Sequence, residues 1–169
     1  SMSNTVTCST QFPTDAAPPI TDKDGKSVVQ SMRTGGFAEK VLVHESQCVT
    51  VTKNIKMASA SLLACGVITG FGAVTNTAKV PAGSHVVVIG TGGVGLNSIQ
   101  GAHVSGARTV IAIDVVDSKI EAAKSFGATH GINSKTEDVA ARVLEITGGH
   151  GADYVFVTVG VKSAFDSSY

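Results

Sequence analysis

An apolar segment that runs directly into a glycine-rich turn constrains the fold of this chain more than any other feature. Residues 85–89 form a near-continuous apolar run, which a parallel β-strand needs when both of its faces are covered. The next six residues are Gly90-Thr91-Gly92-Gly93-Val94-Gly95. A helix is predicted from near Val94 to about Gly106, so the glycines lie in a strand-to-helix turn.

The glycine spacing in this turn matches the GxGxxG pattern of dinucleotide-binding turns. In that pattern Gly90 permits a tight turn, Gly92 lets the backbone approach a pyrophosphate, and Gly95 lets helix and strand pack closely. Free N–H groups and the positive end of the helix dipole meet the phosphate charge, so the loop needs no lysine. A purely structural turn is the simpler alternative.

Two further strand–turn–helix units follow the first. A second strand is predicted over residues 109–113, and its helix has Asp117 as a candidate N-cap and Gly127 beyond its last turn. A short third strand near 131–133, another helix and an apolar strand over 153–159 complete the series. This repetition predicts an α/β fold with a Rossmann-type parallel sheet, incomplete at about four strands.

Asp114 ends the second strand, about 20 residues after the glycine turn. A carboxylate at that place accepts hydrogen bonds from the adenosine ribose hydroxyls. The same charge repels the extra phosphate of NADP, so the pair of features predicts NAD as the cofactor. The alternative for Asp114 is a cap on the following helix.

Charge and composition exclude several other classes of function. Positive and negative side chains balance at thirteen each, so no strong field draws the chain to nucleic acid or a membrane surface. We expect no membrane-spanning helix, since no apolar run reaches the roughly 18 to 20 residues that it needs, and no signal core is expected at the start. We therefore expect a cytoplasmic protein that binds a small molecule. The three cysteines, Cys8, Cys48 and Cys65, show no CxxC pair or disulfide framework.

The first third of the chain carries weaker signals. Residues 1–33 are predicted as loop, with a hairpin turn at Asp24-Gly25. Beyond Gly36, short strand-like alternations are carried by Phe37, Val41, Val43, Val49 and Val51. Residues 57–78 are small and apolar, which predicts closely packed helical turns.

Two segments and the glycine turn together resemble a known family. The segments are LACGVITGFGA at 63–73 and TAKVPAGS at 77–84. They resemble the zinc-containing medium-chain alcohol dehydrogenases, close to the glutathione-dependent formaldehyde class, over residues 36–160. The resemblance implies an NAD-dependent oxidoreductase in which zinc acts as a Lewis acid on an alcohol or aldehyde oxygen and hydride passes to or from nicotinamide.

The resemblance also implies roles for particular residues. Cys65 matches one of three protein ligands of the catalytic zinc. Lys119 matches a lysine that contacts the adenosine ribose. The residues implied to lie by the nicotinamide are Thr69, Val94, Thr158, Val159 and Gly160. The full set expected to hold the cofactor also includes Gly90, Thr91, Gly92, Gly93, Gly95 and Asp114.

The sequence departs from the family at the zinc site. The family's other catalytic ligands, a Cys and a Gly-His-Glu segment, and its four-cysteine lobe are not seen. His44 is not preceded by Gly, and His150 is not followed by Glu. One thiolate cannot make a three-ligand site, which argues against zinc in this chain. The alternative for Cys65 is a small buried hydrophobe.

These departures predict a partial enzyme. Residues 1–62 are expected to be a remnant of a β-rich GroES-like catalytic domain, partly loop, and 63–169 a C-terminally incomplete NAD-binding Rossmann domain. Zinc catalysis is then impaired or lost. A zinc-free quinone-reductase-like relative, an NAD-binding-only remnant and a methyltransferase are the alternatives. The family usually pairs through strands that this chain does not reach, so a homo-oligomer stays open.

Overall fold

The computed structural model describes residues 21–28, 36, 38–41, 43, 45–162 and 164. The chain divides into two units, 1–54 and 55–169. In the first unit, an antiparallel bridge between Thr21 and Ser27 closes a turn in which the Gly25 N–H donates to the Asp22 carbonyl. This confirms the hairpin predicted at Asp24-Gly25. A short 3-10 helix covers Glu45–Gln47.

The strands expected after Gly36 do not form among the described residues. Phe37 lies outside them, but the four valines at 41, 43, 49 and 51 are described and none belongs to a strand. Val49 is 86% exposed. Alternating valines suit a half-buried pleated surface, and without a partner strand or a covered face they do not make one. The GroES-like remnant is not confirmed.

The second unit begins with a continuous helix, Met57–Ala78. It contains two α-helical segments, α1 (Met57–Leu62) and α2 (Ile68–Gly72). Each is followed by a π-helical turn, first Leu63–Val67 and then Ala73–Ala78. The helix ends at Lys79, whose left-handed backbone (φ 51°) terminates it.

This helix corrects one sequence expectation. It has 22 residues, and its most apolar stretch has a mean hydropathy of 1.7, so by length and composition it passes the test for a membrane-crossing helix. Glycines and threonines interrupt the apolar residues of this segment, so its sequence pattern does not indicate the full length of the helix. Buried core helices of soluble proteins can have the same length and composition, but only 11% of this stretch is buried. Val74 and Ala78, near its C-terminal end, pack on the sheet layer described next.

Four parallel strands form one sheet, which confirms the predicted Rossmann-type architecture. They are β1 (His85–Ile89), β2 (Thr109–Asp114), β3 (His130–Asn133) and β4 (Tyr154–Val157). Their order is β3-β2-β1-β4. Val86 lies opposite Val110 on one side and Tyr154 on the other. The last strand is shorter at both ends than its predicted apolar run.

Helices cover both faces of the sheet. They are α3 (Gly93–Val104), α4 (Asp117–Lys124) and α5 (Val139–Ile146). The face that includes Val86 and Val88 packs against the 57–78 helix, α3 and α4. The face that includes Val87 and Ile89 packs against α5. Because both faces of β1 are covered, the four residues that follow His85 in this strand are all buried and apolar.

The predicted N-cap of α4 is wrong. Asp117 is the first helical residue, the N-cap position is Val116, and no side chain caps it among the described residues. The Asp117 carboxylate instead accepts a hydrogen bond from the Asn133 side-chain amide. The helix starts one residue earlier than predicted because the Val116 carbonyl accepts from the N–H groups of Lys119 (3.0 Å) and Ile120 (3.2 Å), which places Asp117 inside the first turn.

Candidate dinucleotide-binding site

The candidate site lies at the carboxyl edge of the sheet, where the strand order changes direction. The chain moves outward from β1 to β2 and β3, then returns to place β4 on the other side of β1. Ligands of open α/β sheets bind in the crevice at such a switch point. The glycine turn follows β1, Asp114 ends β2, and Thr158 follows β4.

The geometry of the turn accounts for two of its glycines. Gly90 has a φ of +93°, which strongly favours glycine, and its N–H donates to the Ile113 carbonyl over 2.7 Å. A Cβ on Gly95 would collide with the Gly90 carbonyl oxygen. The turn therefore depends on glycine at both positions, as the spacing predicted.

The middle of the turn is open. Gly92 and Gly93 are exposed, and a Cβ on either would meet no atom within 4 Å. Helix α3 starts here with Gly92 as N-cap, and none of the described side chains caps it. The Leu96 N–H, in the first turn of α3, donates to the carbonyl of this N-cap residue over 2.8 Å. The earlier N–H groups of a helix have no intrahelical partner, so they face the open space with the positive end of the dipole.

Asp114 faces this turn, as predicted. Its Oδ2 accepts from the Thr91 N–H (2.9 Å) and the Thr91 hydroxyl (2.8 Å). Its Oδ1 accepts from the N–H groups of Val115 (2.7 Å) and Val116 (3.2 Å). These amides precede α4, so the carboxylate does not serve as the simple helix cap that was the alternative.

The surroundings of Asp114 favour its ionised form. Partial burial raises the pKa of its carboxyl, but the donors from Thr91 and Val115 outweigh that effect. The positive charge of Lys119 lowers the pKa further. The net result is a pKa below the usual aspartate value, so the group is negative at neutral pH.

Thr158 has a role in the structure that the sequence did not reveal. Its N–H donates to the Ile89 carbonyl (2.9 Å), and its hydroxyl lies 3.0 Å from that oxygen and 2.9 Å from the Gly90 carbonyl oxygen. A Cβ on Gly90 would also collide with Val159. The residues after β4 therefore hold the glycine turn from one side. Gly160 follows them and is exposed.

The 57–78 helix approaches the start of α3 through small residues. A Cβ on Gly70 would collide with the Val94 carbonyl oxygen, and the Ser98 hydroxyl donates to the Gly70 carbonyl over 3.2 Å. Thr69 is adjacent in the chain and exposed. This backbone contact brings the segment that carries Thr69 close to Val94.

The described residues do not fit a zinc centre. Cys65 is exposed, so its interpretation as a small buried hydrophobe is wrong. No group of three or more His, Cys, Asp or Glu side chains is placed to hold a metal within the described ranges. His150 is exposed, and its ring lies 6.4 Å from that of His85, which starts β1 at the opposite edge of the sheet. His44 and Cys8 lie outside the described residues.

Comparisons with known proteins agree with this geometry. Residues 93–169 match the family model described as "Zinc-binding dehydrogenase". The chain is 43% identical over 136 residues to the probable S-(hydroxymethyl)glutathione dehydrogenase 1 of Schizosaccharomyces pombe, covering 80% of this chain and 36% of that protein. It is 38% identical over 147 residues to the class-3 alcohol dehydrogenase of Oryza sativa subsp. japonica, covering 86% and 38%. The benzyl alcohol dehydrogenase structure from Acinetobacter calcoaceticus superposes with a TM-score of 0.77 at 38% identity, covering 86% and 41%.

The chain belongs to the zinc-type alcohol dehydrogenase family. It spans less than half the length of these relatives. Within the family's architecture, the described residues supply the sheet edge around the glycine turn. They do not bring a set of zinc ligands together.

Proposed function

We propose that this chain binds NAD at the carboxyl edge of its sheet. The observation that carries the proposal is the carboxylate of Asp114, held beside an open, uncapped helix start. The amides at the start of α3 suit the pyrophosphate, and the carboxylate suits the adenosine ribose. The proposed cofactor set remains the residues predicted from the sequence: Gly90, Thr91, Gly92, Gly93, Val94, Gly95, Asp114, Lys119, Thr69, Thr158, Val159 and Gly160.

The charge of Asp114 supports NAD over NADP. The carboxylate is ionised at neutral pH, and a second negative group on the ribose would meet it at short range. The phosphate also replaces a ribose hydroxyl that otherwise donates to the carboxylate. Repulsion and a lost hydrogen bond therefore act in the same direction.

For the whole protein we propose hydride transfer between an alcohol or aldehyde and nicotinamide. NAD supplies the hydride acceptor or donor, and the protein's part is to bind and orient it. The described residues of this chain do not fit zinc, so we assign no catalytic step to it and propose impaired or absent zinc catalysis. Residues 1–62 as a catalytic-domain remnant and 63–169 as the NAD-binding domain remain part of this proposal.

Titration calorimetry with NAD and NADP on the wild type and the Asp114→Ala variant tests the proposal. Hydrogen bonds to a charged group are each worth about 1.5 to 3 kcal/mol, so NAD affinity should fall by roughly one to two decades. Glu121→Ala is the matched control, because it removes an exposed acid from α4 whose partner among the described residues is Lys124. Unchanged NAD affinity in Asp114→Ala would refute the assignment.

A second candidate is a chain that binds cofactor and performs no chemistry. The lack of a metal-ligand cluster among the described residues favours it. Thermal shift with NAD, NADP and S-adenosylmethionine, together with zinc analysis of the same sample, separates the candidates. Stabilisation by NAD alone without zinc supports binding only, and stabilisation by S-adenosylmethionine favours the methyltransferase alternative.

A further inference from the structure

The side chain of Thr91 has a place in the site that the glycine pattern does not require. The GxGxxG spacing leaves this position unspecified, yet Thr91 is only 3% exposed and both of its donors reach the same oxygen of Asp114. We propose that the Thr91 hydroxyl is a positioning group that fixes the carboxylate for the ribose and sets the pH range over which the site prefers NAD to NADP. This inference rests on the proposed function.

The geometry separates what the backbone supplies from what the threonine supplies. Three of the four donors to Asp114 are N–H groups, from Thr91, Val115 and Val116, and any residue except proline would provide them. The fourth donor is the hydroxyl, 2.8 Å from Oδ2. Only this bond depends on the identity of residue 91, so only this bond can be removed without moving the backbone.

The hydroxyl acts on both the direction and the charge of the carboxylate. Two donors on one oxygen hold the carboxyl plane against the turn, which leaves fewer rotamers open to Asp114. Donors to a carboxylate stabilise its ionised form, and a protonated carboxyl group would present its proton to N–H groups, which cannot accept it. Without the hydroxyl, the carboxyl group should take up its proton at a higher pH.

Other charged groups near this edge act in addition to Thr91. Lys119 on α4 lowers the pKa of Asp114 through its charge. Asp117 on α4 and Glu137 after β3 each accept a hydrogen bond from Asn133, at the end of the neighbouring strand. All three remain in place when residue 91 is changed, so they form a constant background for the comparison.

The first arm of the test needs no cofactor. The carboxyl carbon of Asp114 is followed by NMR during acid titration in the wild type, Thr91→Val and Thr91→Ser. Valine keeps the branched shape without the hydroxyl, and serine keeps the hydroxyl without the branch. We expect the midpoint to rise by about one pH unit in Thr91→Val and to stay near the wild-type value in Thr91→Ser. If Thr91 acted only through its shape, the Asp114 midpoint would move in Thr91→Ser and not in Thr91→Val, or would move in neither variant.

The second arm measures the ratio of NAD to NADP affinity between pH 6 and the lowest pH at which each variant remains folded. The preference depends on a negative Asp114, so in Thr91→Val it should be lost at a pH about one unit higher than in the wild type. Thr91→Ser should follow the wild type. Identical pH profiles for Thr91→Val and the wild type would overturn the inference.

Failure of this inference and failure of the proposed function give different results. An unshifted Asp114 midpoint in Thr91→Val overturns the role of Thr91, whether or not NAD binds. A wild type that shows no NAD affinity overturns the proposed function, while the midpoints still report on Thr91. If Thr91→Val does not fold, Thr91→Ala takes its place: alanine also lacks the hydroxyl, and an Asp114 midpoint in Thr91→Ala that matches the wild type contradicts the inference.

Discussion

The two sides of the candidate site, the glycine turn and the Cys65 side of the 57–78 helix, differ in how much they depend on the rest of the protein. At the turn, Asp114 accepts four hydrogen bonds, all from residues at the neighbouring ends of β1 and β2. Cys65 is exposed, and the described residues form no group of three or more possible metal ligands that includes it. The comparison teaches that a phosphate-binding turn and the acid beside it can be built within one βαβ unit, whereas a zinc site needs three or four ligand side chains brought to one point.

The physical basis of that difference is the source of the binding groups. Phosphate is met by backbone amides, which any strand-to-helix turn of the right shape exposes. Zinc needs several thiolate, imidazole or carboxylate groups at about 2.0 to 2.3 Å. Local geometry satisfies the first requirement, whereas the second depends on which ligand side chains the fold brings together.

The largest effect is expected for Gly95→Ala, on the turn side. The new methyl group would collide with the Gly90 carbonyl oxygen, so α3 and β1 must separate. We expect a loss of about 3 kcal/mol or more in the free energy of unfolding, measured by urea denaturation. Gly93→Ala is the control, because its Cβ meets nothing within 4 Å, and it should change stability by no more than about 1 kcal/mol. Equal effects of the two changes would break the comparison.

Thr158→Val tests the support that β4 gives to the turn. The change removes the hydroxyl that lies against the carbonyl oxygens of Ile89 and Gly90 but keeps the side-chain shape. We expect destabilisation of about 1 kcal/mol in the same urea experiment, with Thr158→Ser retaining most of the stability. A valine variant as stable as the wild type would mean that the turn holds its shape without this bond.

The smallest effect is expected on the other side, for Cys65→Ser. The thiol is exposed and has no cluster of metal ligands around it among the described residues. Unfolding free energy should change by less than about 0.5 kcal/mol, and NAD affinity should not change. Zinc content, measured by elemental analysis, should be the same in wild type and variant. Stoichiometric zinc lost in Cys65→Ser would show that this side is a working metal site.

Much of the sheet could be predicted from the sequence. Three of the four strands, β1, β2 and β4, are mostly apolar runs, whereas β3 contains one buried apolar residue, Ile132. Long local patterns of this kind survive folding because both faces of the strand are buried, so no tertiary contact competes with them. The position of Asp114 beside the turn followed from the same regularity, since neighbouring parallel strands end at one edge.

The sequence predictions failed where a pattern depended on a distant partner, or where a neighbouring residue took the predicted role. The valines at 49 and 51 alternate as a strand would, but no described strand pairs with them. Asp117 was a good cap by residue type, but the helix begins one residue earlier, with Val116 in the N-cap position. The length of the 57–78 helix was hidden because its small residues look like a series of breaks, although they pack against α3.

Local sequence was thus sufficient for the strands, for the glycine turn and for the acid beside it, because adjacent residues and a regular βαβ repeat specify them. The tertiary structure alone decided that Thr158 holds the turn and that both donors of Thr91 meet one oxygen of Asp114. Those contacts join residues that are distant in the chain. Their partners are set by the order of strands in the sheet, which no local pattern encodes.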